Sequence, residues 1–281
     1  MASTLVIGAR GTIGRLVVQG LLAAGQPVRA SVRDLATADF DERVEVVQAD
    51  LGKPESLRPA LDGVASVFLY ASRATAAGFS AAARQAGVEH VVPLSSGSVL
   101  LPWAARENAI SIEHSDIEQA LMTTGLHVTP IRPLVLASNA LNWARSIRRD
   151  RSVELVHPDS MSAPVHEADI AAVAVSALTG AAAAEAAGLL TGSEVLTQRR
   201  QVELIGEALG EPVRVEEITE QRAREKLAEF EEPETVEAVL AFISRNVREG
   251  ESPATSVART VLGRDPLPFA RWVEEHVDAF R

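Results

Sequence analysis

Through the first two-thirds of the chain, short apolar runs alternate with longer stretches whose apolar positions recur every three or four residues. The short runs are rich in β-branched residues and fall at 4–7, 28–32, 44–47, 66–70, 88–94 and 128–131. Each reads as a strand, and the stretches between them read as helices. Several of these stop at a glycine (Gly25, Gly87, Gly125), where a helix commonly ends in a left-handed residue. Strands that are apolar almost throughout, separated by helices, predict a parallel sheet covered on both faces. Right-handed crossovers then give an α/β, doubly wound fold whose ligands sit at the carboxyl ends of the strands.

After about Thr197 the pattern changes. Glu and Arg become dense, and helical periodicity dominates at 198–209, 220–230 and 234–248. The expected organisation is a Rossmann domain over 1–195 and a smaller, mostly helical lobe over 196–281. The last helical stretch, 268–280, sets Phe269, Trp272, Val273, Val277 and Phe280 near one face. This predicts packing against the main body, with an oligomer contact as the alternative.

One junction carries chemistry. The first strand runs into Gly8-Ala9-Arg10-Gly11-Thr12-Ile13-Gly14, and a helical pattern starts at once. Without side chains, Gly8 and Gly11 let the backbone turn tightly and approach a phosphate, while Gly14 lets the helix lie close to the sheet. The amides at the helix start, at Thr12 and Ile13, have no partner within the helix and point at an anion. Strand, glycine turn and helix within a βαβ unit predict a dinucleotide site. An ordinary strand–turn–helix is the alternative.

The end of the second strand reports the preferred coenzyme. An acid about 20 residues past the glycines would bind the ribose 2′-hydroxyl of NAD. Here Arg29-Ala30-Ser31-Val32 ends without one, and Arg33 follows. A guanidinium there pairs with the 2′-phosphate of NADP, and Arg10 can reach the same phosphate from the other side. NADP(H) is therefore the expected cofactor. Asp34 would instead suit a ribose, or form a solvated pair with Arg33. Asp50-Leu51, Ala71-Ser72 and Ser95-Ser96-Gly97 follow the third, fourth and fifth strands and should line the same crevice. Asp50 suits the adenine amino group or, equally, a turn.

Composition narrows the classes. The chain has 281 residues, 47% of them hydrophobic, a net charge of -11 and no cysteine. That length suits one large domain, or a domain with a small lobe. Without cysteine there is no disulfide framework, thiolate metal site or cysteine nucleophile. The acidic balance argues against nucleic acid as a partner. The long apolar run 171–190 is mostly alanine, broken by Ser176, Thr179, Gly180 and Glu185, so it reads as a helix and a strand, not a membrane span. The first strand begins too close to Met1 for a signal peptide, so a cytoplasmic location is expected. Lysine occurs only at Lys53 and Lys226, an arginine skew typical of GC-rich bacterial genomes. His166 and Asp169 lie close together, but Asp169 suits a helix cap and no third ligand is evident; no metal is expected. Arg145, Arg148, Arg149 and Arg151 read as a solvated helix end.

Further short motifs extend this picture. Taken in order with the glycine turn, they are Val28-Arg29-Ala30-Ser31-Val32-Arg33-Asp34, Ala49-Asp50-Leu51, Leu94-Ser95-Ser96, His114-x-x-x-Glu118, Gly125-Leu126, Ile131-Arg132-Pro133 and Ala163-Pro164-Val165-His166-x-x-Asp169-Ile170. With them the chain resembles the NmrA-like branch of the atypical short-chain dehydrogenase/reductases, over about the first 210 residues and more loosely through the tail. That branch includes quinone reductases and cofactor-sensing regulators. The resemblance implies an NADP-binding Rossmann domain with a smaller lobe over the nicotinamide end. By it, Arg132-Pro133 borders the nicotinamide, and Asn139, Asn142 and Trp143 line the substrate side. Ser96 resembles the superfamily's catalytic serine, with a loop cap as the alternative.

The chain also departs from the superfamily. Most members use a Tyr-x-x-x-Lys pair in which lysine lowers the tyrosine's pKa and tyrosine delivers the proton. The single tyrosine here, Tyr70, is followed four residues on by Ala74, and neither lysine has a tyrosine four places before it. Where the motif should fall, Ile110 occupies the tyrosine slot and His114 stands four residues before Glu118. Tyrosine-driven epimerase, dehydratase or carbonyl-reductase chemistry is thus not expected. His114 titrates near neutrality and can relay a proton; a half-buried histidine bonded to a neighbour is the alternative. The leading expectation is an NADPH-dependent oxidoreductase transferring hydride to a small electron-poor acceptor, such as a quinone or enone. The others are a catalytically silent NADP(H) sensor and a biosynthetic enzyme using the pocket for a rearrangement or cyclisation. A small-molecule substrate, no nucleic acid and no membrane are the expected partners, with homo-oligomerisation left open.

Overall fold

The computed structural model describes residues 3–104, 107–248 and 254–281. The chain opens with β1 (Ser3–Val6), α1 (Thr12–Ala23), β2 (Val28–Val32), β3 (Glu45–Gln48), α2 (Leu57–Leu61), β4 (Val64–Leu69), α3 (Arg73–Ala86), β5 (His90–Pro93), α4 (Ala109–Met122) and β6 (His127–Val128). These six strands form one parallel sheet in the order β3-β2-β1-β4-β5-β6. They are the six predicted strands, with ends displaced by a few residues at most. The order reverses between β1 and β4, which opens a crevice above their carboxyl ends.

Next come β7 (Arg132–Pro133), α5 (Ala144–Asp150), β8 (Ser152–Leu155), β9 (Met161–Ser162), α6 (Glu167–Leu178), α7 (Ala183–Ala186) and β10 (Leu189–Leu190). The chain closes with β11 (Leu196–Thr197), α8 (Gln198–Leu209), β12 (Arg214–Glu217), α9 (Glu220–Leu227), α10 (Pro233–Arg248), α11 (Val257–Leu262) and α12 (Phe269–His276). Three small two-stranded sheets, β7–β10, β9–β11 and β8–β12, tie these segments together. Among the described residues no helix is long and apolar enough to cross a membrane.

Period-two alternation builds the core on both faces of the large sheet. Val6 of β1 and Phe68 of β4 pack with Val17 and Leu21 of α1 and Val173 and Ala174 of α6. Their neighbours Leu5 and Leu69 point the other way, to Leu61 of α2, Phe79 of α3 and Leu121 of α4. A third cluster joins Ile147 of α5, Val153 and Leu155 of β8, and Val202 and Ile205 of α8 to Phe269, Trp272, Val273 and Phe280. Residues 196–281 thus share their apolar core with residues 137–155. Trp272 and Phe280 are fully buried, so the amphipathic tail packs on the body as predicted; burying a large side chain contributes about 1.5–3 kcal/mol.

One local reading holds with an addition and one is corrected. The arginines at the end of α5 form the expected solvated helix end, with Arg145, Arg148 and Arg149 exposed. They also hold the tail: Arg148 donates to the Ala279 carbonyl, and Arg151, just past the helix, to that of Phe280 at 2.9 Å. Carbonyls at the chain's end need donors once the tail is docked. The cap of α6 is His166, whose Nδ1 accepts the Ala168 amide at 3.1 Å. Asp169 lies inside the first turn, fully buried, where it accepts from Arg264 Nη2 and the Leu267 amide, each at 2.6 Å. It anchors the tail to α6.

Candidate active site

The glycine turn is built as its sequence predicts. Gly8 has φ +85°, a left-handed conformation that side chains disfavour, and the Gly11 amide donates to its carbonyl at 3.0 Å. A Cβ on Gly14 would fall 2.2 Å from that same oxygen, so α1 can start against the turn only if residue 14 is glycine. A Cβ on Gly11 would meet nothing closer than 3.4 Å; that position is bare because it faces the crevice. The first helical bond runs from the Arg15 amide to the Gly11 carbonyl at 2.9 Å. The amides of Thr12, Ile13 and Gly14 therefore have no intrahelical partner. No side chain caps them and no acid lies in the first turn, so a phosphate fits there.

Arg10 extends to Thr37 Oγ1 at 3.1 Å, in the turn that directly follows Arg33 and Asp34. The two arginines are brought to one corner, at the carboxyl end of β2. Asp34 caps that turn, its Oδ1 accepting the Ala36 amide at 2.9 Å. The exposed Arg33 side chain has no protein partner among the described residues.

Asp50 acts as a turn residue, its Oδ1 accepting the Gly52 amide at 2.9 Å, with the half-buried Leu51 beside it. Ser72 opens α3, its amide bonded to Thr75 Oγ1 at 3.1 Å and its hydroxyl to the same atom at 3.2 Å. Ala71 packs partly into the core beneath.

At the end of β5 the polar groups pair with each other. Ser95 Oγ donates to Glu118 Oε1 at 2.6 Å, and Arg132 grips Glu118 through Nε at 2.8 Å and Nη2 at 2.5 Å. Arg132 Nη1 also donates to the Ala187 carbonyl at 2.6 Å. The serine hydroxyl is thus committed to the fold, and the Ser95 amide donates to the Ile131 carbonyl at 2.8 Å, leaving only the Ser95 carbonyl for a ligand. Ser96 caps the next turn, its hydroxyl 2.9 Å from Ser98 Oγ and accepting the Ser98 amide at 3.3 Å. This Glu118–Arg132 junction was not foreseen: Glu118 stood in a recognised motif, but spacing along the chain does not name its partners.

His114 lies on the same stripe of α4, between Ser111, which donates to the Ser98 carbonyl at 3.1 Å, and Glu118. One helical stripe faces one surface, so the imidazole flanks the Ser95–Ser98 turn. Of its two nitrogens only Nδ1 is among the buried atoms without a partner, so the reading of a histidine bonded to a neighbour finds no support at that atom. Burial holds its pKa below the ordinary histidine value, with Glu113 and Glu118 pulling more weakly the other way. The ring is neutral at pH 7. With Nδ1 buried and unpartnered, Nε2 is the nitrogen open to a ligand.

Past β6, Pro133 is buried in the β7–β10 pair. Asn139 and Asn142 are exposed on the helical turns 137–143, where Trp143 packs partly on the third cluster. The Ser138 amide donates to Glu167 Oε1 at 2.7 Å, fastening this segment to α6. Trp103, before α4, lies under Arg245 at 5.1 Å and beside Phe242 at 6.4 Å, and Asn108 Nδ2 donates to the Ala238 carbonyl at 3.0 Å. α10 is thereby docked on the loop after β5.

A parallel sheet with this strand order, a glycine turn with unpartnered amides and arginines at the second strand define a dinucleotide-binding α/β protein. The chain belongs to the NAD(P)H-binding family, whose model matches residues 8–181. It is 36% identical to (4-alkanoyl-5-oxo-2,5-dihydrofuran-3-yl)methyl phosphate reductase of Streptomyces griseus, across 98% of each chain. It is 29% identical to the nitrogen metabolite regulation-like protein bik4 of Gibberella fujikuroi, across 99% of this chain and 98% of that one. The NADPH-dependent quinone oxidoreductase QOR2 of Escherichia coli, in complex with NADPH, shares the fold with a TM-score of 0.82 at 21% identity, over 97% of this chain and 99% of that one. The NmrA-like resemblance and the Rossmann fold are borne out, and the chain is an NAD(P)H-dependent oxidoreductase.

Proposed function

We propose that this oxidoreductase uses NADPH to reduce a conjugated carbonyl acceptor, an enone or a quinone. The observation that carries the reading is a coenzyme turn built in full together with a neutral, half-buried His114 where Tyr-x-x-x-Lys would otherwise lie. Reducing an isolated carbonyl localises charge on one oxygen and calls for a strong proton donor at that atom. Hydride added to the far carbon of an enone, or to a quinone, leaves an oxyanion spread over the conjugated system. A neutral N–H donor and good positioning then suffice.

The coenzyme supplies the hydride. The turn amides of Thr12, Ile13 and Gly14 hold its pyrophosphate, with Gly8 and Gly11 shaping the turn. Arg33 and Arg10 hold the 2′-phosphate, which favours NADPH over NADH. Asp50, Leu51, Ala71, Ser72, the Ser95 backbone and Pro133 line its path. His114 Nε2–H donates to the acceptor oxygen, Ser96 stands as a second donor, and water protonates the resulting enolate. Asn139, Asn142 and Trp143 meet the acceptor. The Streptomyces relative supports this choice, because its named substrate carries a ring double bond conjugated with carbonyl groups.

The test is single-turnover oxidation of bound NADPH against panels of enones, quinones and saturated aldehydes. Oxidation by the conjugated acceptors above background, and none by the aldehydes, is expected. Tight coenzyme binding without turnover on every acceptor would replace this reading with a sensor.

A further inference from the structure

The chain's single tyrosine has no role in the chemistry above, yet it occupies the point where the strand order reverses. Tyr70 is the residue after β4, and β4 lies beside β1, which leads into the glycine turn. Alternation along β4 sets its side. Phe68 is buried in the cluster that holds α1, and Leu69 in the opposite one, so Tyr70 returns to the α1 side. A Cβ placed on Gly8 would lie 3.1 Å from Tyr70 Cβ and 3.9 Å from its Cγ and Cδ1. The ring therefore runs beside the turn whose amides await a phosphate. It is nevertheless 60% exposed, and nothing among the described residues bonds its hydroxyl.

We propose that Tyr70 is a coenzyme-binding residue, its ring packing on the nicotinamide-side ribose and its hydroxyl donating to the adjoining pyrophosphate. This rests on coenzyme binding at the glycine turn. The side follows from strand order: Arg33, at the end of β2, marks the adenosine end, and β4 lies beyond β1 in the opposite direction. Tyrosine suits the place because an apolar ring can cover a ribose while its polar tip meets an anion. Closing over the coenzyme buries a ring that the free protein leaves in water, and that gain exists only in the complex.

Two measurements test it. With one tyrosine and no cysteine in the chain, tetranitromethane nitration of tyrosine, followed by peptide mass, reports Tyr70 alone. Saturating NADP+ should slow nitration at least tenfold, and 2′,5′-ADP, which lacks the nicotinamide ribose and its phosphate, should not. Tyr70→Phe should weaken NADPH and NADH alike, by about tenfold for one hydrogen bond to a charged group. Tyr70→Ala should weaken both further, with 2′,5′-ADP affinity and the thermal midpoint unchanged. Equal nitration with and without NADP+, or Tyr70→Ala binding NADPH like the parent, overturns the assignment while leaving the glycine turn intact. Failure of the parent to bind either coenzyme overturns the turn and Tyr70 together.

Discussion

The ends of β1 and β5 lie on the same edge of one sheet and follow the same kind of apolar strand, and the sequence points to both as crevice-lining, one from its glycines and the other from its serines. They are built for opposite purposes. After β1, the amides of Thr12, Ile13 and Gly14 have no partner within the helix, a bare Gly11 lies at the turn, and Arg33, after the neighbouring β2, has no protein partner among the described residues. After β5, Ser95, Glu118, Arg132 and the Ala187 carbonyl satisfy one another within a buried network. Buried polar groups are costly unless paired, so a closed network marks where a fold secures itself. Donors that the fold leaves without partners, gathered at one corner, are placed to meet a ligand. The two ends still cooperate, because the junction at β5 fixes α4 and with it His114.

The contrast breaks first at the closed end. Glu118→Ala leaves the Arg132 guanidinium buried and unpaired, and should cost about 3–5 kcal/mol in urea unfolding; a loss below about 1 kcal/mol would deny the junction its structural role. At the open end, neighbouring glycines should separate fold from binding. Gly14→Ala forces a Cβ against the Gly8 carbonyl and should cost about 1–3 kcal/mol. Gly11→Ala should cost under about 1 kcal/mol yet weaken coenzyme at least tenfold, as read by calorimetry alongside denaturation; equal stability losses would erase the distinction.

Arg33→Ala should lower NADPH affinity by about tenfold or more with stability unchanged, and leave NADH within about twofold. Matching losses for both coenzymes would remove Arg33 from the 2′-phosphate. His114→Ala should lower kcat by about tenfold, equally at pH 7 and above, because burial holds the ring's pKa below the ordinary histidine value; a defect that changes with pH across that range would make it a general acid instead.

The smallest effect belongs to His90 on β5, stacked on His127 at 4.4 Å. Burial, and then the neighbouring imidazole, lower its pKa from 6.5 to about 4. Between those values the unfolded chain takes up a proton that the native protein refuses, so stability falls as pH drops through that window. His90→Asn should flatten this slope by on the order of 1 kcal/mol; an unchanged slope would assign it to other groups.

Features encoded within a few consecutive residues were legible before any coordinates. β-branched runs announced the six strands, and seven contiguous residues specified a tight glycine turn, because a turn's geometry depends on its own residues. The place of Arg33 was legible for the same reason, lying next to the strand that positions it. Distant pairings were not. Glu118 with Arg132, Asp169 with Arg264, and Arg151 with the Phe280 carbonyl span 14, 95 and 129 residues, and any acid on a helix has many bases to choose from. β12, written Arg-Val-Glu-Glu, carries no strand pattern and pairs only because β8 lies alongside. Short-range periodicity selects elements and their buried faces; which charges meet depends on how those faces come together, and that is a property of the assembled chain.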